Sequence, residues 1–114
     1  MNCGLKKKDL DLIIEKIRDN IKIEKAVIFG SRAMGNFKKG SDVDIVLYGS
    51  NIENEVRLIN HELNERTVLP YYFDVLNYNE IENFDLKKHI NKFGKVIFDK
   101  NEPEKHTLSA NSVN

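Results

Sequence analysis

The chain has 114 residues, of which 40% are hydrophobic and 32% charged, and its 18 Lys and Arg balance its 18 Asp and Glu to a formal net charge of zero. That length gives one domain with a single layered core, and the composition excludes wholesale disorder. Zero net charge leaves no overall field to draw the chain onto nucleic acid or an anionic membrane, so direct nucleic-acid binding is not expected and any polyanion is met locally.

The N-terminal stretch MNCGLKKKDL has lysines with no apolar core behind them, and no apolar run approaches the length of a membrane span. The single cysteine, Cys3, rules out an internal disulfide and fits a reducing, cytoplasmic setting. Next, Leu10, Ile13, Ile14, Ile17 and Ile21 recur at helical spacing and predict an amphipathic first helix. KAVIFG reads as a buried strand stopped by Gly30, and DVDIVLYG as a second strand closed by Gly49. Between them, SRAMGNFKKGS predicts a short helix with Ser31 as its N-cap, then a loop. Ile52, Val56, Ile59 and Leu63 predict another helix, YYFDVL a third strand, Leu86, Ile90 and Phe93 a last helix, and KVIFD a terminal strand. The sum is an α/β domain, a mixed sheet of about four strands with helices packed mainly on one face.

The stretch from Gly30 to Asp44 carries the chemistry. Side chains alternate along a strand, so Asp42 and Asp44 share one face roughly 7 Å apart, opposite Val43 and Ile45. Two such carboxylates repel unless protons or cations intervene, and an oxygen-only set without nearby Cys or His suits magnesium or manganese. Asp74, in the middle of YYFDVL, adds a third carboxylate if its strand lies beside that of Asp42. Gly30 lets a bulky anion approach the backbone, and Ser31 supplies a hydroxyl at a helix start, which together read as a phosphate cradle. Arg32, Lys38 and Lys39 are available for charge compensation.

These residues resemble the minimal nucleotidyltransferases of the DNA polymerase β superfamily, whose signature is Gly-Ser, ten residues, then Asp-any-Asp. Here Gly30 and Ser31 are followed by the ten residues Arg32 to Ser41 and then by Asp42-Val43-Asp44. The likeness runs from Leu10 to Phe98 and assigns the family's later strand aspartate to Asp74. One departure is Met34, where the family often has arginine. The resemblance implies the nucleotidyltransferase fold over residues 1–98; the C-terminal stretch lacks any apolar period, and residues 99–114 are an expected flexible tail. It also implies transfer of AMP from ATP to a hydroxyl with release of pyrophosphate. In that scheme Asp42 and Asp44 hold two magnesium ions, and Asp74 completes the site of one of them and accepts the proton. Gly30, Ser31 and Arg32 bind the nucleotide.

Many minimal nucleotidyltransferases are antitoxins that silence a HEPN-domain ribonuclease toxin by placing AMP on a tyrosine. The resemblance therefore implies a protein adenylyltransferase and a HEPN toxin as partner. One alternative is an antitoxin that blocks the toxin by contact alone. Another is a subunit acting on an aminoglycoside-like small molecule, which needs a partner domain to complete the acceptor site. The intact aspartates favour the first reading. Elsewhere, Tyr71, Tyr72 and Phe73 are candidates for stacking a base but read more simply as half core and half edge. His61, His89 and His106 read as solvated, and the lysine runs at 6–8, 38–39 and 87–88 as solvated faces.

Overall fold

Alternation along the central strand decides the architecture. In the second strand, Val43, Ile45 and Leu47 are each 0% exposed on one face, while Val46 is equally buried on the other, so both faces of the sheet need a cover. The computed structural model describes residues 3–102. In chain order its elements are α1 (Lys7–Arg18), β1 (Lys25–Phe29), α2 (Ser31–Met34), β2 (Val43–Tyr48), α3 (Glu53–Glu65), β3 (Phe73–Asn77), α4 (Phe84–Phe93) and β4 (Lys95–Asp99). A 3₁₀ turn, Tyr78–Glu80, lies between β3 and α4.

The four strands run in the order β3-β2-β1-β4. β1 is antiparallel to both β2 and β4, and β2 is parallel to β3, which the crossover through α3 makes possible. The two longest helices, α1 and α3, bring Ile13, Ile17, Ile59 and Leu63 against Ala26, Ile28, Ile45 and Phe73 of the sheet, and this is the larger core. α4 covers part of the opposite face, where Ile90 packs on Val27, Phe29 and Val46. The mixed sheet with helices mainly on one face is thus the observed fold. Among the described residues, no helix is long and apolar enough to cross a membrane.

Three boundaries differ from the sequence expectation. α1 stops at Arg18, and Ile21 is 79% exposed; the chain turns there, with the Ile23 N–H donating to the Asn20 carbonyl, and Ile23 takes the core position instead. Gly30, not Ser31, is the residue that caps α2, so Ser31 is already helical. β2 begins at Val43, which leaves Asp42 exposed just ahead of the strand. At the other end, Asp99 closes β4, and the Lys100 N–H donates to the Glu24 carbonyl at 2.8 Å. From residue 103 onward the expected tail, with His106, lies outside the described residues.

The edge strand that carries Asp74 is held from outside the sheet. The Asn64 side chain on α3 accepts from the Phe73 N–H at 2.8 Å and donates to the Phe73 carbonyl at 2.9 Å, standing in for a missing neighbouring strand. Asn64→Leu strips the partners from both backbone polar groups of Phe73. It is expected to cost about 2 kcal/mol in urea unfolding and to speed exchange of the Phe73 amide.

Candidate active site

Two ladders converge on Asp44. Across β1 and β2 it pairs with Phe29, the residue before Gly30, and across β2 and β3 it pairs with Asp74. Side chains directly opposite in a ladder stand on the same face, so Asp44 and Asp74 project together, on the side of Val46 and Leu76 that α4 partly covers. Asp44 is half-buried, Asp74 is exposed, and Asp42 is exposed at the mouth. Gly30 closes the arrangement from the other flank. Its φ of 78° and ψ of −155° lie in a region essentially restricted to glycine, and a Cβ there would strike the Asp44 carboxylate oxygen Oδ2. The Gly30–Ser31 turn therefore rests directly on Asp44, with no room for a side chain between them.

Charge crowding follows from this placement. Burial, then the neighbouring charges of Asp74 and Asp42, push the Asp44 carboxyl up to about 6 from an ordinary value of 3.8. Asp44 and Asp74 form the close pair and Asp42 contributes from the rim. Among the described residues, no group of three or more His, Cys, Asp or Glu side chains is already closed around an ion position.

The model of the polymerase beta nucleotidyltransferase family matches residues 11–103. The chain belongs to that family. No curated relative matches it in sequence. Among solved structures, a toxin-antitoxin with AMP-PNP shares the fold at a TM-score of 0.67 and 21% identity, covering 92% of this chain and 86% of that one. A tri-AMPylated Shewanella oneidensis HEPN toxin in complex with MNT antitoxin gives 0.64 and 17%, covering 96% and 86%. The toxin-antitoxin MntA-HepT gives 0.63 and 19%, covering 95% and 86%.

Within this nucleotidyltransferase the basic residue of the motif has an internal task. Arg32 is 3% exposed. Its Nη1 donates to the Cys3 carbonyl at 2.8 Å, and its Nε and Nη2 donate to the Ser41 carbonyl at 3.2 and 2.9 Å. The guanidinium also lies between the rings of Phe37 and Tyr71, 5.1 and 5.2 Å from their centroids. Arg32 thus clamps the far end of the loop to α2, one residue before Asp42. The resemblance expects Arg32 at the nucleotide; in the fold three of its five N–H groups are taken by backbone carbonyls. Lysine cannot reproduce the fork. Arg32→Lys and Arg32→Met are both expected to lower stability by about 3 kcal/mol, measured by urea unfolding, and to loosen the loop carrying Asp42.

The aromatic run divides as alternation requires. Phe73 is 0% exposed in the core and Tyr72 is 62% exposed, while the Tyr71 hydroxyl donates to Asp9 Oδ2 at 2.8 Å. One site residue escaped the sequence reading. His89, read as solvated, sits on α4 with Nε2 accepting from the Gly30 N–H at 2.9 Å. Its ring meets Phe29 edge-on, with centroids 6.3 Å apart, and Phe93 at 5.4 Å. A signal was present: His89 lies three residues after Leu86 and four before Phe93, inside the apolar stripe of the helix.

Proposed function

We propose that the chain is a magnesium-dependent nucleotidyltransferase that moves AMP from ATP to a tyrosine hydroxyl of a HEPN ribonuclease toxin, neutralising it as a cytoplasmic antitoxin. The observation that carries this reading is the in-register pairing of Asp44 with Asp74, flanked by the Gly30–Ser31 turn lying on the Asp44 carboxylate. The fold shared with a toxin-antitoxin bound to AMP-PNP supports ATP as donor. The fold shared with the MNT antitoxin of a tri-AMPylated HEPN toxin supports that toxin as acceptor.

The donor set fits a hard divalent cation. It is all carboxylate, and Asp44, whose charge is disfavoured first by burial and then by its neighbours Asp74 and Asp42, gains a compensating charge when a cation binds. Asp42 and Asp44 would hold both ions and Asp74 one of them, the exposed Asp42 side chain turning in from the rim. When bound, magnesium neutralises phosphate charge and makes the acceptor hydroxyl more acidic. The chain's own groups do the rest. The Gly30–Ser31 turn receives the β- and γ-phosphates, the Ser31 hydroxyl donating to a phosphate oxygen, and this aims the α-phosphorus at the aspartates. Asp74 takes the proton of the acceptor hydroxyl as its oxygen bonds to the α-phosphorus, and the bond to the bridging oxygen breaks to release pyrophosphate. Arg32 contributes by fixing the loop that ends at Asp42.

The test is to incubate the chain with its cognate HEPN protein, ATP and magnesium. The toxin's mass is expected to rise by one AMP or a small multiple while its ribonuclease activity disappears. Suppressed ribonuclease with unchanged mass would replace transfer by simple blocking. Unchanged mass with unchanged ribonuclease activity would overturn the antitoxin reading altogether.

A further inference from the structure

The geometry points to His89 as a positioning residue for the nucleotide-binding turn, acting through the Gly30 amide; this inference rests on the nucleotidyltransferase reading above. Gly30 is the residue of that turn with the most unusual backbone, and it is gripped from two sides. Asp44 fills the space where its Cβ would stand, and His89 Nε2 accepts its N–H at 2.9 Å. The bond joins α4 to the end of β1, residues 59 positions apart in sequence. Only a ring nitrogen without a proton can accept, so the bond specifies a neutral imidazole with its hydrogen on Nδ1. The edge-on contact with Phe29 and the packing on Phe93 set the plane of the ring, so Nε2 is aimed rather than adrift.

The consequence is a division of labour. A glycine can supply the turn's φ and ψ but cannot choose them, because an unrestrained glycine has many conformations open to it. The imidazole makes that choice by fixing the direction of the Gly30 peptide, and with it the direction of the Ser31 hydroxyl that follows. His89 touches neither phosphate nor acceptor in this scheme; it orders the turn before the nucleotide arrives, which lowers the entropic cost of binding.

Three variants separate this role from packing. His89→Phe keeps an aromatic ring between Phe29 and Phe93 but has no acceptor; His89→Gln has an acceptor at comparable reach but no ring; His89→Ala has neither. Titration calorimetry with magnesium-ATP is expected to show binding weakened about tenfold in His89→Phe and His89→Ala, with His89→Gln within about threefold of wild type. In steady-state transfer, the loss is expected in KM more than in kcat. Hydrogen exchange of the Gly30 amide gives a readout independent of activity: about tenfold faster in His89→Phe and His89→Ala, and slow in His89→Gln. Wild-type binding and slow exchange in His89→Phe would overturn the inference by showing that the ring's packing suffices. A wild-type chain that fails to bind magnesium-ATP would overturn the nucleotidyltransferase reading and this inference with it, whereas wild-type binding with an unaffected His89→Ala overturns this inference alone.

Discussion

Replacing Asp44 with Asn is expected to abolish nucleotide transfer and, in the same protein, to make the fold more stable. The two effects share one cause. Asp44 is held half-buried opposite Asp74 and near Asp42, so its ionised form is disfavoured in the fold and its carboxyl titrates at about 6 instead of 3.8. The sign follows from linkage. A carboxyl whose pKa is raised by folding binds its proton more tightly in the folded chain, so the cost of its charge is fully present above pH 6. That cost is relieved as pH falls through 6, and it is gone below about 4, where folded and unfolded chains are both protonated. With allowance for partial exposure, the charge costs about 2 kcal/mol at neutral pH. Asp44→Asn should therefore gain about that much in urea unfolding at pH 7.5 and lose the advantage at pH 4. Transfer should fall by about a thousandfold or more, since a bound cation contributes several kcal/mol to the transition state. Equal stability of the two proteins at pH 7.5 would show that Asp44 is not the crowded carboxylate, and undiminished transfer would remove it from the site.

The crowded carboxylates and the turn beside them were readable in the sequence for a local reason. The Gly30–Ser31 turn and the Asp42–Asp44 pair lie within fifteen residues of one another, and their chemistry depends on strand alternation, which any sequence displays. Asp74 needed one further step, that sequential strands tend to be neighbours, and the parallel β2–β3 ladder bears this out. The helices were legible through apolar spacing, except where a turn cut the period short at Ile21. What stayed hidden was every polar side chain whose partner is a distant backbone group. Arg32 stands at the start of α2, beside the nucleotide-binding motif, and reads as a nucleotide contact or a charge-compensating cation; only the fold delivers the Cys3 and Ser41 carbonyls to it. Asn64 on α3 and His89 on α4 are the same case: the apolar stripe marks His89 as inward-facing, but nothing local says that a helix asparagine or histidine will hold the backbone of Phe73 or the amide of Gly30. These contacts position the aspartates and the turn without performing chemistry, so no motif advertises them.

Gly30→Ala tests the tightest of these placements and is expected to have the second large effect. The wild-type backbone at this residue, φ 78° and ψ −155°, is nearly closed to any residue with a Cβ, which alone costs about 1–3 kcal/mol. The added methyl also meets Asp44 Oδ2, so either the carboxylate swings out of the ladder or the turn lifts away from it and breaks the Gly30 bond to His89. Both responses disassemble the site, and magnesium-ATP affinity should fall about a hundredfold. Strain and collision can be told apart by placing the substitution in an Asp44→Ala background. There the methyl meets only the Cβ at position 44, at an ordinary contact distance of 3.6 Å, so the collision is gone, the backbone strain remains, and Gly30→Ala should cost about 1–2 kcal/mol less than it does with Asp44 present. Additive stabilities across the four proteins would show that the methyl and the carboxylate never meet. In that case the turn does not rest on Asp44, and the phosphates it receives would not be delivered to the aspartates.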